Sequence, residues 1–322
     1  MAGGPSTPSL AAAVSEAGGL GFLAGGYRSA AALEAELAAL RRATARPVGV
    51  NLFVPGRPAV DERALAAYAR ELAGEAARLG VALGEPLWSD DGWDAKLEVV
   101  VRATPEVVSF AFGCPPAAVV ERLQRSGSAV WCTVTSPAEA AAAAAAGVDA
   151  LVVQGAEAGA HRGSFVDGDD EPVPLLGLLA IVAAVSDLPL VAAGGLADGR
   201  GIATAIAAGA TAVQLGTAFL LCPEAGTSEV HRAAVRAGGE TTLTRAFTGR
   251  RARAIVNRFV REHGAHAPAA YPQVHALTAP LRAAAREAGD ADAVNLWAGT
   301  SFALARAEPA ARLVASWAAE LR

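Results

Sequence analysis

The chain has 322 residues, of which 53% are apolar and 18% charged, so it holds enough apolar material for a large buried core. A net charge of −5, without clusters of basic and aromatic residues, argues against a nucleic-acid partner. No apolar run reaches the roughly 18 residues of a membrane helix, and no signal-peptide pattern opens the chain. We therefore expect a soluble, cytoplasmic protein without a membrane partner.

Short apolar runs alternate with helix-patterned segments over the first two thirds of the chain. The runs are almost continuously apolar, which is typical of strands buried on both faces of a parallel sheet. Strand–helix alternation with short connections predicts right-handed βαβ units. The predicted strands are Gly19–Ala24, Val48–Phe53, Val107–Gly113, Ala129–Val134, Ala150–Gly155, Leu190–Gly195 and Ala212–Phe219. The predicted helices between them include Ala31–Arg42, Glu62–Leu79, Pro116–Arg125, Pro137–Ala146 and Gly199–Ala208.

The strand count is one short of a closed barrel. The opening segment Met1–Pro8 has the composition of a loop that follows a strand, and it leads into a predicted helix, Ser9–Ala17. We therefore predict an α/β fold, a TIM-type (β/α)8 barrel whose first strand is missing from this chain, for example because the start site was assigned too late. The alternative is an open seven-stranded sheet, which would expose strand edges.

The pattern changes after the last predicted strand. Cys222–Val294 is rich in Arg, Glu and His and lacks strand-like runs, whereas the end of the chain returns to helical patterns at Gly299–Arg306 and Pro309–Leu321. We predict a barrel formed by residues 1–221 and 294–322, and a small helical insertion, residues 222–293, that covers the barrel mouth as a substrate or lid domain. The histidines of this insertion are predicted to be solvated, namely His231, His263, His266 and His275.

The three cysteines are Cys114, Cys132 and Cys222. They are too few and too scattered for a disulfide framework or a zinc site. We expect reduced, buried side chains and no metal centre, with a catalytic thiol as the minority alternative.

Two glycine-bearing strand ends predict a phosphate site. β/α barrels bind phosphate on the loops after strands seven and eight, and the runs at these positions end in glycine. Glycine leaves backbone N–H groups open to an anion, a threonine hydroxyl adds a donor, and a helix N-terminus follows the first of the two loops. The alternative is that these glycines merely permit tight turns, and no P-loop or dinucleotide motif is present. The residues singled out are Gly195, Gln214, Leu215, Gly216 and Thr217.

Asn51 stands near the end of an otherwise apolar strand. Its amide must find partners, because a buried unsatisfied polar group costs about 1–3 kcal/mol. A flavin ring at the barrel mouth would satisfy both the donor and the acceptor. A locally bonded, structural asparagine is the alternative.

The stretch Gln154–Gly163 surrounds one imidazole with glycines at a strand end. A lone histidine is more often structural, but at a barrel mouth it can exchange protons near neutral pH. We therefore assign His161 a catalytic or substrate-orienting role. For Glu157 we favour a structural partnership with nearby backbone or with Arg162, and for Arg162 either added positive potential or a surface ion pair.

With these residues in place, the chain resembles the nitronate monooxygenase family, formerly called 2-nitropropane dioxygenases. The most distinctive match is the Gln-Gly-x-Glu-Ala-Gly-x-His-Arg-Gly stretch. The matching segments follow the family's order over nearly the whole chain, and they are Met1–Leu20, Gly49–Phe53, Asp149–Gly163, Ala192–Gly201, Gln214–Thr217 and Leu296–Gly299.

The resemblance implies an FMN-dependent oxidoreductase that converts alkyl nitronates, and nitroalkanes as possible further substrates, with O2 to carbonyl compounds and nitrite. It assigns contacts with the flavin ring or ribityl chain to Asn51, Gln154 and Gly159, and the catalytic role to His161. Ribityl and phosphate contacts would come from Gly195 and Gln214–Thr217. Trp297 and Gly299 match a family motif near the flavin.

Two other functions stay open at the level of sequence. One is an FMN-dependent NAD(P)H reductase, acting on an enoyl thioester or a quinone, on the same barrel; only the Gln154–Gly163 signature favours the oxidase. The other is a truncated, non-catalytic remnant that lacks its first strand. No motif specifies an oligomeric state.

Overall fold

The computed structural model describes residues 1–56 and 60–321, while residues 57–59 and 322, which belong to the predicted barrel segments, lie outside the described residues. Seven parallel strands form one curled sheet with helices between them. These strands are β1 (Gly21–Ala24), β2 (Val48–Phe53), β3 (Val107–Ala111), β4 (Ala129–Val134), β5 (Ala150–Gln154), β7 (Leu190–Ala193) and β8 (Ala212–Gln214). Their order in the sheet follows the chain, which confirms the predicted TIM-like α/β fold; within the described residues β1 and β8 form its two edges.

Thirteen helices are present among the described residues. Most begin at a side-chain cap, as at Ser29, Ser136 and Asp198, whose oxygens accept a hydrogen bond from an N–H of the first turn. The helices are α1 (Pro8–Glu16), α2 (Ala30–Ala43), α3 (Glu62–Glu71), α4 (Ala73–Leu79), α5 (Trp93–Ala103), α6 (Ala117–Ser126), α7 (Pro137–Ala145), α8 (Leu175–Ala183), α9 (Gly199–Ala207), α10 (Glu229–Ala237), α11 (Arg258–His263), α12 (Gln273–Glu287) and α13 (Ala310–Glu320). The helix predicted at Gly299–Arg306 is only a short 3-10 turn at Phe302–Leu304.

The largest hydrophobic core lies between the sheet and its helices. Helix α2 shows the principle, since Leu33, Leu37 and Leu40 recur every three or four residues and all face the sheet, fully buried. Burial of each such leucine is worth about 1.5–3 kcal/mol. Most of the strands are buried on both faces, whereas β8 is only half-buried to exposed. The alternation of such apolar strands with amphipathic helices is the pattern from which the barrel was predicted.

A second core joins α3 and α4 to residues 220–302. Tyr68 of α3 is fully buried there, and its hydroxyl donates to the Ala246 carbonyl at 2.7 Å. The insertion also contains two strands that the sequence did not reveal, β9 (Thr241–Thr244) and β10 (Ala252–Ile255). Because each has only four residues, neither gives a recognisable apolar run. The predicted domain boundaries at 222 and 293 stay a prediction.

A two-residue strand, β6 (Ala160–His161), connects the barrel to the insertion. It pairs with β10 in an antiparallel sheet of order β6-β10-β9, and Ala252 lies opposite His161. The loop after β5 is therefore held by backbone pairing from the covering segment. No helix in the described ranges has the length and apolar character required to cross a bilayer.

Candidate active site

A cavity of about 510 Å³ opens at the carboxyl ends of the strands, where the barrel meets residues 226–301. A cavity of this size suits a cofactor or small ligand. Eight of the nine site residues singled out from the sequence line it, although they come from four separate parts of the chain. These eight are Asn51, Gln154, Gly159, His161, Gly195, Gln214, Gly216 and Thr217.

The loops after β7 and β8 form one end of the cavity. Gly194 and Gly195 have φ of +114° and +70°, and a Cβ on Gly195 would come within 2.9 Å of Glu157 Cβ. These two positions therefore require glycine. The N–H groups of Gly195, Gly216 and Thr217 have no acceptor among the described residues. Unpaired N–H groups converging on a cavity suit an anion.

The N-terminus of α9 does not contribute as the sequence predicted. The N–H of Gly199 donates to Glu320 Oε2 at 2.9 Å, and that of Gly201 donates to Asp198 Oδ1 at 2.8 Å. Because two carboxylates already bind these amides, the helix end does not offer them to a cavity anion. The expectation of a free helix terminus at this loop is wrong.

Leu215 is the one predicted site residue that does not line the cavity. Its side chain packs instead against the apolar cluster that contains Leu10, Ile202 and Trp317. Any role in ligand binding would have to come from its backbone.

Asn51 has its amide nitrogen committed to the neighbouring strand. Nδ2 donates to Ser109 Oγ at 2.9 Å and to the Ser109 carbonyl at 3.3 Å. The amide oxygen has no partner within the described residues, and the residue lines the cavity. Local bonding thus orients the side chain and leaves its oxygen for a ligand.

Gln154 organises the loop that carries the imidazole. Its Nε2 donates to the His161 carbonyl at 3.1 Å, and its Oε1 accepts from the Gly163 N–H at 2.8 Å. Arg162 is buried and donates to the carbonyls of Gly155 (2.6 Å) and Gln154 (3.2 Å), so it forms neither a surface ion pair nor part of the cavity wall. The surface ion pair considered for Arg162 is therefore wrong, and the side chain braces the loop instead; its added positive potential stays a prediction.

Two further positions of the signature are structural. Glu157 accepts from the Leu175 N–H with both carboxylate oxygens, at 3.2 and 3.0 Å, and so caps α8 as a structural partner. Gly159 packs directly on the backbone of Ala298 and Gly299, since a Cβ there would lie 2.4 Å from Gly299 N. Close packing, rather than an unusual backbone angle, requires glycine at this position.

His161 lies in an aromatic surround. Its ring centroid is 5.3 Å from that of Trp297, and 5.7 Å from those of Phe112 and Tyr271. Nε2 is 2.9 Å from Thr248 Oγ1, and Nδ1 has no partner among the described residues. One ring nitrogen is thus held by the protein and the other is left for a ligand.

The environment keeps this imidazole neutral. Burial holds the pKa of His161 well below 6.5, and the positive charge of Arg250 lowers it further, together with His275 and Arg282. At pH 7 the side chain therefore carries no charge and is able to accept a proton.

The sequence did not identify the residues that the insertion contributes. Tyr27 stacks on His275 at 4.2 Å, and the Tyr271 hydroxyl donates to the Tyr27 hydroxyl at 3.2 Å. Arg282 lies about two helical turns further along α12, on the same face as His275, and lines the same cavity. The seven-residue spacing of His275 and Arg282 could have placed them on one helix face, but nothing in the sequence shows that this face meets the cavity.

Three of the four histidines predicted to be solvated are not. His231 is buried with Nε2 3.0 Å from the Trp297 carbonyl, His263 is buried with Nδ1 2.7 Å from Glu71, and His275 is half-buried; only His266 is exposed. They belong to the second core and the cavity wall, which the sequence did not predict. The three cysteines are unpaired; Cys132 and Cys222 are buried as predicted, whereas Cys114 is only half-buried, so the prediction of burial is wrong for that residue.

One cluster among the described residues has metal-ligand composition, formed by Glu75, Glu262 and His263. Arg258 Nη1 lies on both carboxylates, 2.6 Å from Glu75 Oε1 and 2.5 Å from Glu262 Oε2. The guanidinium is therefore the cation that this cluster holds.

Comparison with known proteins gives one consistent result. The sequence model of the family described as nitronate monooxygenase matches residues 1–320. A nitronate monooxygenase from Pseudomonas aeruginosa is 42% identical, over 99% of this chain and 94% of its own length. A probable nitronate monooxygenase from Staphylococcus aureus is 35% identical, over 97% of this chain and 90% of its own length.

Two solved structures are similar to this chain in both sequence and fold. The nitroalkane oxidase from Streptomyces ansochromogenes is 52% identical with a TM-score of 0.97, covering 100% of this chain and 93% of that one. FabK from Thermotoga maritima is 28% identical with a TM-score of 0.78, covering 100% and 90%. The chain therefore belongs to the nitronate monooxygenase family of flavin-dependent oxidoreductases.

Proposed function

We propose that this chain is an FMN-dependent nitronate monooxygenase that oxidises alkyl nitronates, and nitroalkanes once they are deprotonated, with O2 to carbonyl compounds and nitrite. The observation that carries the proposal is that one cavity contains both a neutral imidazole, His161, and a group of unpaired backbone N–H donors. Its partners would be the small nitronate and O2. Three unpaired cysteines fit a reducing compartment, and we place the enzyme in the cytoplasm.

The cavity has the donors and the space that FMN needs. The free N–H groups of Gly195, Gly216 and Thr217 suit its phosphate, with the backbone of Gln214 and Leu215 beside them. The absence of side chains at the glycines leaves room for the phosphate and ribityl chain. Bound FMN would supply the redox chemistry, accepting electrons from the substrate and passing them to O2.

The polar groups at the other end of the cavity suit a flavin ring. The free oxygen of Asn51 is an acceptor for a ring N–H, and Gln154 retains a second amide hydrogen and a second oxygen lone pair for a ligand. Gly159 adds backbone without bulk. These three residues would hold the ring while Gln154 also fixes the loop that carries His161.

His161 would act on the substrate. As a neutral base it would remove the proton on the carbon next to a nitro group; the alternative role is a hydrogen bond from a ring N–H to the nitro oxygens of a preformed nitronate. Arg282, from the predicted lid segment 222–293, lines the same cavity and would stabilise negative charge on those oxygens. The lid would therefore complete the site as well as cover it.

The proposal is tested by flavin content and turnover. The purified protein should contain about one FMN per chain, a stoichiometry that also rejects a non-catalytic remnant, and should convert ethyl nitronate with release of nitrite and uptake of O2. The His161→Ala variant should keep its FMN and lose turnover of nitroethane by about 100-fold or more, as expected for loss of a general base. The exposed His266 provides the matched control, and His266→Ala should behave like the wild type. Wild-type activity in His161→Ala would remove this residue from the mechanism.

The structural similarity to FabK keeps a flavin reductase as the second candidate. Anaerobic mixing of the FMN-loaded protein with NADH or NADPH separates the two functions. Rapid bleaching of the flavin would favour the reductase, whereas our proposal expects the oxidised spectrum to persist until a nitronate is added.

A further inference from the structure

Thr248 is the hydrogen-bond partner of His161, and the proposed function assigns it no role. It lies in the turn that starts at Arg245, between β9 and β10, and is only 1% exposed. Its Oγ1 is 2.9 Å from His161 Nε2 and 3.2 Å from the Arg250 carbonyl, and the Arg250 N–H points at the same oxygen at 3.5 Å. One hydroxyl thus joins the imidazole to the backbone of the insertion.

The number of available hydrogens determines which group donates and which accepts in each of these hydrogen bonds. A threonine hydroxyl has one hydrogen, and both His161 Nε2 and the Arg250 carbonyl are in range of it. Arg250 is buried, and its carbonyl has no other donor among the described residues. If the hydroxyl donated to Nε2, that carbonyl would be left without a partner, which buried carbonyls rarely are. With the hydrogen on Nε2, the chain from His161 through Thr248 to the Arg250 carbonyl satisfies all three groups.

The consequence is that Nδ1 carries a lone pair and no hydrogen. Nδ1 is the ring nitrogen without a partner in the part of the chain that the structure describes, and His161 lines the cavity. The imidazole therefore presents a proton acceptor to a ligand. The opposite tautomer would present an N–H, which could bind a nitro oxygen but could not remove a proton.

We propose that Thr248 is a positioning residue that holds His161 as the Nε2–H tautomer, so that Nδ1 takes the proton from the carbon next to the nitro group of a neutral nitroalkane. This inference rests on the proposed function. In the step the C–H bond breaks, its proton forms a bond to Nδ1, and its electron pair moves onto the nitro group. The products are a nitronate anion and an imidazolium, so charge and atoms balance.

The proposal predicts that loss of the Thr248 hydroxyl affects two substrates differently, whereas a purely structural role of Thr248 would affect both alike. Nitroethane requires proton removal before oxidation, whereas preformed ethyl nitronate does not. Loss of the Thr248 hydroxyl should therefore slow the first reaction and spare the second.

The experiment compares Thr248→Val with Thr248→Ser, with FMN content measured for each. Thr244→Val is the matched control, because Thr244 is also buried in this hairpin but its hydroxyl accepts from the Ala246 N–H instead. Thr248→Val should lower kcat/KM for nitroethane about 100-fold, raise the isotope effect with α-deuterated nitroethane, and leave ethyl nitronate near the wild-type value. Thr248→Ser should restore nitroethane turnover, and Thr244→Val should not discriminate between the substrates.

Other outcomes overturn the inference. Equal losses on both substrates in Thr248→Val, or full retention of nitroethane turnover, would show that Thr248 does not set the tautomer. A wild-type protein that oxidises ethyl nitronate but not nitroethane would refute the base role while the proposed function stands. A wild-type protein that oxidises neither would refute the proposed function itself.

Discussion

The structure predicts that Gly159→Ala, which adds only one methyl group, has a large effect on both stability and turnover. A Cβ on Gly159 would lie 2.4 Å from Gly299 N and 2.6 Å from the Ala298 carbonyl carbon. Both are backbone atoms, so no side chain can turn away. Ordinary contact begins near 3.4 Å, so the two segments must separate by about 1 Å.

Neither segment is free to move. Gly299 N donates to Thr217 Oγ1 at 3.0 Å, and Gly159 is two residues from His161, whose strand is paired with β10. Overpacking of this kind costs about 1–3 kcal/mol in the free energy of unfolding. A displacement of about 1 Å at a reacting group costs about 100-fold in rate.

The assay is thermal unfolding together with kcat/KM for ethyl nitronate. Gly177→Ala is the control, because Gly177 is exposed on α8 and a Cβ there meets only Val173 Cγ1, at 3.8 Å. Alanine within a helix should leave stability unchanged or raise it by about 0.5–1 kcal/mol. Wild-type stability and turnover in Gly159→Ala would refute the packing argument.

Two further predictions concern charge. Removing the positive charge in Arg282→Met should raise the pKa of His161, so the acid limb of the pH profile of kcat/KM for nitroethane should move to higher pH; an unchanged profile would contradict the assigned electrostatics. The Glu75 carboxylate has a pKa lowered from 4.5 to about 2, chiefly by the hydrogen bond from Arg258. Its contribution to the free energy of unfolding is therefore complete above pH 4.5 and is lost as the pH falls toward 2. At about 1.4 kcal/mol per pKa unit, Glu75→Gln should cost about 3 kcal/mol in denaturant unfolding at pH 7, and a deficit that does not shrink between pH 5 and pH 3 would show that the ion pair is not its source.

The barrel and its glycine-bearing strand ends were predictable because they depend on local patterns. A strand buried on both faces must be apolar throughout, and each of the seven predicted runs contains one of the parallel strands. Gly195 and Thr217 follow strands whose positions in the barrel are fixed by chain order. Their meeting at one rim therefore follows from the fold class alone.

The covering segment was not predictable in the same way. On α12, Val274, Leu277 and Leu281 face the second core, and this packing turns the face with His275 and Arg282 toward the cavity. Which face is buried depends on partners from elsewhere in the chain, such as α3. No periodicity within α12 indicates what lies opposite it.

The prediction for the N-terminus of α9 was wrong for a related reason. The adjacent Asp198 binds the Gly201 N–H, and the Gly199 N–H is bound by Glu320, which lies at the far end of the chain and could not be foreseen from the local sequence. A helix end is an anion site only if no carboxylate of the protein already occupies it. That condition is set by tertiary structure.

The charges around the cavity explain how a weak base could serve this chemistry. A histidine whose pKa is depressed accepts a proton only if the anion formed with it is stabilised by more than the imidazolium is destabilised. Arg282 makes no ion pair among the described residues; its guanidinium is bound by Thr278 Oγ1 and the His275 carbonyl, and its pKa, lowered by burial to about 10, still leaves it charged at pH 7. Arg282 lines the same cavity as His161. Its charge adds to the burial that keeps His161 neutral in the free protein, and it would also stabilise the nitronate formed by proton transfer once substrate is present.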